Sequence, residues 1–464
     1  MTDRRPSVVV VGGGLAGLAA GVEAADRGAA VTLLERRPRL GGATWSFEHR
    51  GISFDNGQHV FMRCCEAYLR FLERIGSAGD VRLQSRLEVP VLRPGGPAGA
   101  IRRTRGPAPL HLLATLATYP HLSRRRRLAV IRAALALRRL DPDDVALDRL
   151  TFGEWLAARG QDTATIEGFW DLIVLPTVNV PAGEASLKLA AMVFRTGLLS
   201  RSDAADIGWA TVPLSVLHGE AARRTLEAAG ADVRTGAAVR GVRIGPLGRP
   251  AVELDGELID ADAVVVAVPH DAAGGLLPPD TVAGQERLGE LGTSPIVNVH
   301  LVYDRCVTEL PMAAAIGSDV EFVFDHTTAA GLDDGRQCLT ISLSAARRYI
   351  GRRSVDLVEH FGAEMARLLP AAAGARITES MVTREQAATF LGTPGSHTLR
   401  AGGRTALGSV FLAGAWCDTG WPATMEGAVR SGLQAGRLAA ERAAGTPPAQ
   451  DSGSGVRGEP AVAA

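Results

Sequence analysis

Residues 12–17 read GGGLAG, directly after the β-branched run SVVVV at 7–11 and directly before LAAGVEAADRG. A glycine-rich turn in that setting belongs to a β-α-β unit, in which a short apolar run forms a buried parallel strand and helical periodicity takes over after the turn. Leu15, Leu18, Ala19 and Val22 have the helical spacing, Gly28 closes the helix, and a second apolar run, AAVTLLE, ends in Glu35. Each part has a physical task. Gly12 permits the tight turn, Gly14 lets backbone approach a pyrophosphate, and Gly17 lets the helix pack on the strand. The helix N-terminus offers unpaired N–H groups to phosphate, and Glu35 can accept from ribose hydroxyls. With strand, helix and acid in register, the unit predicts a bound dinucleotide rather than an empty glycine turn.

Composition removes several other functions. The chain has 464 residues, with 50 basic and 50 acidic side chains that cancel, so charge gives no overall pull toward nucleic acid. The length predicts roughly two or three domains. Lys188 is the one lysine, in ASLKLAAMVF, an ordinary helical pattern, so imine chemistry is not expected. Cys64, Cys65, Cys306, Cys338 and Cys417 are scattered without a C-x-x-C pair. They read as reduced thiols of a cytoplasmic protein, not as a disulfide framework, and no metal site is expected. No uncharged apolar run is long enough for a membrane-spanning helix.

Strand-like runs recur far from the first unit, in GADVRTGAAVRGVRI (230–244), LIDADAVVVAVPH (258–270) and GSVFLAGAW (408–416). Between them, residues 105–200 are helical and arginine-rich, and 290–345 carry alternating runs such as IVNVHLVYD that predict antiparallel strands. The last run continues into a loop and a small-residue helix, VFLAGAWCDTGWPATMEGAVRSGLQAG. A second helix N-terminus aimed into one site suits a flavin, whose isoalloxazine O2 gathers charge on reduction. FAD is therefore expected in preference to NAD, held noncovalently. The predicted fold is α/β: a discontinuous Rossmann-like FAD-binding domain (1–85, 211–270 and 391–445) with an inserted α+β substrate domain (86–210 and 271–390). Residues 446–464 are expected to form a disordered tail.

VVVGGGLAGLAAG, LLERRPRLGGAT, VVAVP and LAGAW…TMEGAVRSG resemble the FAD-dependent amine oxidase and phytoene desaturase superfamily. Within it, FDNGQHVF, TFGEWLAARGQ, FWDLIVLPTVN and DTGWPATMEGAVRSG are similar to the hydroxysqualene dehydroxylases, also described as squalene-associated FAD-dependent desaturases. That resemblance implies reductive removal of the hydroxyl of hydroxysqualene to give squalene for hopanoid or related triterpene synthesis. It implies a lipophilic C30 isoprenoid as substrate and an electron donor, either NADPH docking transiently or a separate reductase. It also implies that Gly12, Gly14, Gly17, Glu35, Arg36, Gly41 and Gly42 surround the adenosine and pyrophosphate. Val239 would hold adenine through backbone, and Gly414, Thr424 and Met425 would contact the flavin. Ala43 and Ala415 depart from the superfamily pattern, which more often has arginine and an acid there. The competing readings are a carotenoid desaturase or amine oxidase of the same superfamily, and an isoprenoid-binding flavoprotein without turnover. Amine oxidases of this type place an aromatic residue directly before M-E-G-A; here that residue is Thr424.

Two residues are candidates for the proton step. Asp418 lies between Trp416 and Trp421 in sequence, and burial among indoles would hold a carboxyl neutral as a general acid. His59, in DNGQH, is the second candidate. Asp55 and Glu426 are expected to be structural acids. The stretch 110–140 places Leu128, Ile131, Leu135 and Ala136 on one helical face among Arg124 to Arg127, Arg132, Arg138 and Arg139. It reads either as a solvated arginine face or as a basic amphipathic patch for an anionic membrane, peripheral on the inner face of the cell membrane.

Overall fold

A computed structural model describes residues 5–245 and 248–445; the tail expected from 446 onward lies outside the described residues. The first unit forms as its pattern predicts: strand Ser7–Val11, helix Leu15–Asp26 and strand Ala30–Glu35. Val8 to Val11 are each at most 3% exposed, because this strand is central and covered on both faces. The sheet holds five parallel strands in the order Asp232–Thr235, Ala30–Glu35, Ser7–Val11, Ala263–Val266, Val410–Leu412. Three separated stretches of chain thus meet in one sheet. The final helix, Met425–Ala443, lies along the first, and side chains at Gly432 and Gly436 would overlap the carbonyls of Ala16 and Ala20. Glycine is required there by the close approach of two backbones.

A seven-stranded sheet forms the second layer, in the order Ile377–Phe390, Thr293–Tyr303, Gln337–Leu343, Phe322–Asp325, Met312–Ala315, Glu88–Leu92, Gly99–Arg102. Its pairings are antiparallel except for Met312–Ala315 with Glu88–Leu92. The alternation read from the sequence is real and two-sided. Met312 and Ala314 face a core shared with Trp170, Val174 and Phe194, whereas Ala313 and Ala315 face one shared with Phe361 of helix Ser354–Leu368.

Two expectations change. The run 230–244 supplies strands to two sheets: Asp232–Thr235 joins the parallel one, and Gly241–Ile244 pairs antiparallel with Pro250–Leu254 and then Glu257–Asp260. Strand Ile207–Ala210, assigned from the sequence to the substrate domain, pairs instead with Val60–Met62 and Val81–Leu83. Buried Asp206 holds that junction, accepting from Arg63 Nε (3.1 Å), Arg103 Nε (2.6 Å) and the Leu87 N–H (2.7 Å). Burial would raise its pKa, but the Arg103, Leu87 and Arg63 donors outweigh it and hold the carboxyl below its usual range.

Candidate functional site

The turn after the first strand leaves little room for side chains. Gly12 has φ +107°, and a Cβ there would strike the Ala267 carbonyl; one at Gly17 would strike the carbonyl of Gly12. Gly14 differs. Its backbone is extended (φ −77°, ψ 175°), and the nearest protein atom to a Cβ built there is the Gly42 Cα at 3.7 Å. The space over Gly14 therefore adjoins a helix N-terminus that no side chain caps, which is the setting a pyrophosphate requires. The other wall is the Gly41–Gly42 pair, where the Gly41 N–H donates to the Gly13 carbonyl at 2.9 Å.

Glu35 is 7% exposed, and its carboxylate accepts from the Gly13 N–H at 2.7 Å and the Arg37 N–H at 2.8 Å. The acid at the end of the second strand is thus fixed against the glycine turn. Segment 236–240 crosses over it, with the Ala237 N–H donating to the Glu35 carbonyl at 2.9 Å, and carries half-buried Val239 past the same edge. Arg36 is exposed beside it.

The two long helices set the span of the site. Ala16 lies against Gly432 and Ala20 against Gly436, so the helices run parallel in a fixed register. Leu15, which begins the first helix, is then level with Ser431, while the last helix begins six residues earlier, at Met425. At about 1.5 Å per residue the second N-terminus projects about 9 Å beyond the first. One positive helix end stands at the pyrophosphate turn and a second stands farther along, as an extended FAD needs.

The loop before the last helix is tightly held. The Gly414 N–H donates to Ser431 Oγ at 2.9 Å, and Thr424 caps the helix by accepting from the Gly427 N–H at 3.1 Å. Met425 opens the helix. Glu426 is a structural acid of a specific kind: its buried carboxylate accepts from the Ala67 and Tyr68 N–H groups (3.2 and 2.7 Å) and so caps helix Glu66–Arg74. Arg400 was not anticipated from the sequence. Its buried guanidinium donates to the carbonyls of Trp416 (3.0 Å), Cys417 (2.5 Å) and Trp421 (2.8 Å) and stacks on Phe390. Nothing local in HTLRAGGR marks it, because all three acceptors come from a loop 16 to 21 residues away.

Arg400 also changes the setting of Asp418. The carboxyl is not enclosed as expected: Trp416 turns its Nε1 to the Val268 carbonyl (2.9 Å), and the Asp418 side chain is 34% exposed, facing Arg400 at 3.8 Å and His397 at 3.7 Å. One of its oxygens also accepts from the Gly420 N–H at 3.2 Å. The carboxylate thus lies beside a guanidinium, an imidazole and a turn N–H. His59 is half-buried, with Nδ1 2.8 Å from the Gly57 carbonyl. Burial holds it below the ordinary imidazole range, although the Gly57 carbonyl and Asp55 act in the opposite sense. Asp55 itself is a structural acid, accepting from Ser46 Oγ (2.5 Å) and the Leu214 N–H (3.1 Å).

Two further histidines are buried near these residues. His218 Nε2 lies 2.8 Å from Tyr68 Oη, and His300 Nδ1 lies 2.9 Å from Thr340 Oγ1. Burial lowers both to about 3, helped at His218 by His59 and at His300 by His326. Both are neutral in the fold, whereas the unfolded chain protonates them below their ordinary 6.5. Stability from this source is therefore complete above pH 6.5 and is lost as pH falls from there toward 3. Urea unfolding should show a loss on the order of 2 kcal/mol between pH 6 and pH 5. His218→Gln should reduce that slope; a flat profile between pH 7 and 5 would contradict the assignment.

An uncapped helix end over open space, a fixed acid and a second helix end in register define a dinucleotide-binding flavoprotein, and the protein is an FAD-dependent oxidoreductase. The chain belongs to the flavin containing amine oxidoreductase family, whose model matches residues 15–439. It is 29% identical to the hydroxysqualene dehydroxylase of Rhodopseudomonas palustris over 448 residues, covering 93% of this chain and 98% of that one. It is 24% identical to the zeta-carotene desaturase of Arabidopsis thaliana over 479 residues, covering 92% of this chain and 84% of that one. Among solved structures, cyclohexylamine oxidase from Brevibacterium oxydans matches with a TM-score of 0.72 at 18% identity, covering 94% of this chain and 99% of that one.

Proposed function

We propose that this protein removes the hydroxyl of hydroxysqualene reductively, giving squalene as a precursor for triterpene synthesis. The observation that carries this reading is the likeness to a hydroxysqualene dehydroxylase along nearly the full length of both chains. Thr424 supports it against an amine oxidase, because the residue before M-E-G-A is a helix cap here and contributes no aromatic wall. Bound FAD, once reduced, supplies the hydride that replaces the departing hydroxyl. Gly12, Gly14, Gly17, Gly41 and Gly42 would hold its pyrophosphate, Glu35 and Val239 its adenosine, and Gly414, Thr424 and Met425 its flavin end. The protein's remaining task is to protonate the leaving oxygen and exclude water. His59 and Asp418 are the proposed proton-handling residues, with Asp418 acting beside Arg400 and not as an isolated buried acid.

The zeta-carotene desaturases among the relatives supply the second reading, oxidation of a polyene. The two reactions run the flavin in opposite directions. Under anaerobic conditions, hydroxysqualene added to the reduced holoenzyme should restore the oxidised flavin spectrum, and a carotene added to the oxidised holoenzyme should leave its spectrum unchanged. Bleaching of oxidised enzyme by the carotene would favour the desaturase.

A further inference from the structure

Six of the nine exposed large apolar side chains among the described residues fall between 110 and 150: Leu110, Leu113, Leu128, Leu135, Val145 and Leu150. Two of the six lie on helix Arg124–Leu137. It seats Val130, Ala133 and Leu137 in the core, and this leaves Leu128 and Leu135, nearly half exposed, on the opposite side. At about 100° per residue, Arg124, Arg125, Leu128, Arg132 and Leu135 fall within an arc of about 100°. The exposed face is therefore a row of leucines set among arginines, with no acid on it.

Many surface arginines elsewhere are paired, as in Arg240 with Asp255, Arg243 with Glu253 and Arg347 with Glu184, while others, such as Arg70, Arg86 and Arg224, stand exposed singly. On this helix, Arg126 binds Asp162 and Arg127 binds the carbonyls of Leu122 and Ala117. No ion pair or side-chain hydrogen bond is found for Arg124, Arg125 or Arg132 among the described residues. Asp141, Asp143 and Asp144 follow the helix and confine the positive face to its length.

We infer that the exposed face of helix Arg124–Leu137 docks the protein on an anionic lipid bilayer. Leucines at the centre of a convex basic ridge suit the headgroup and acyl boundary: guanidinium groups meet lipid phosphates while the leucines insert. Nucleic acid would leave those leucines against water or phosphate, and the face carries no aromatic side chain for stacking. The inference is independent of which lipid the enzyme transforms.

The test is sedimentation of the holoenzyme with vesicles of phosphatidylglycerol and phosphatidylcholine, compared with phosphatidylcholine alone. Binding should require phosphatidylglycerol and weaken with salt. Arg125→Glu with Arg132→Glu should weaken it at least tenfold. Leu128→Asp with Leu135→Asp should weaken it at every salt concentration, and Arg224→Glu, on helix Ala221–Ala228, should have no effect. An unchanged flavin spectrum in each variant verifies folding. Absence of binding, equal binding to neutral vesicles, or wild-type binding by both double variants would overturn the inference. So would sedimentation velocity showing a dimer that the leucine variant dissociates while vesicle binding persists, since the face would then join two copies of the chain.

Discussion

A Gly14→Val variant should fold and yet be colourless. No protein atom lies closer than 3.7 Å to a Cβ at this position, and the extended backbone there accepts any side chain. The valine would instead occupy the space above the uncapped helix end and displace phosphate from its donors. Losing two charge-assisted hydrogen bonds costs about 3–6 kcal/mol, or about 10²–10⁴-fold in FAD affinity. Gly17→Val should behave differently, because its Cβ overlaps the Gly12 carbonyl and the helix cannot keep its place on the strand. Flavin absorbance and circular dichroism, measured together on both variants, separate the two effects. Full flavin content in Gly14→Val, or unfolding equal to that of Gly17→Val, would contradict the placement of the pyrophosphate.

Arg400→Met should cost nearly as much by another route. The substitution keeps an apolar stem against Phe390 but leaves the carbonyls of Trp416, Cys417 and Trp421 without their donor. Buried acceptors left unpaired cost roughly 1–3 kcal/mol each, and relaxation of the loop recovers part of that, so a loss of about 3–6 kcal/mol is expected. The loop that precedes the last helix would also lose its fixed shape, and FAD should dissociate faster. Arg400→Lys, with one compact ammonium in place of a planar fork, should fall between the two. Wild-type stability and flavin retention in Arg400→Met would show that the loop is held by other contacts.

These two residues mark the boundary of what the sequence makes legible. Gly14 was readable because strand, turn, helix and acid are contiguous and each imposes its own residue type within 29 positions, from Ser7 to Glu35. Arg400 was not, because its role depends on a loop brought to it by the sheet. Asp418 suffers from the same limit: its sequence neighbours are indoles, but its spatial neighbours are His397 and Arg400. Helix Arg124–Leu137 presents two apolar stripes of similar strength. Only the packing reveals that Val130, Ala133 and Leu137 are the buried one, leaving Leu128 and Leu135 outside. Strand Ile207–Ala210 is too short, at four residues, for alternation to declare its partners.

The central claim is that a reduced flavin on this fold replaces the hydroxyl of hydroxysqualene with hydrogen. The most direct measurement is a single anaerobic turnover: stoichiometrically reduced holoenzyme is mixed with hydroxysqualene, flavin reoxidation is followed by absorbance, and the lipid is analysed by mass. The account predicts one squalene formed per flavin reoxidised. It also predicts that the rate falls about 10²–10⁴-fold in whichever of His59→Gln and Asp418→Asn removes the proton donor. Reduced flavin that persists with hydroxysqualene recovered unchanged would contradict the account.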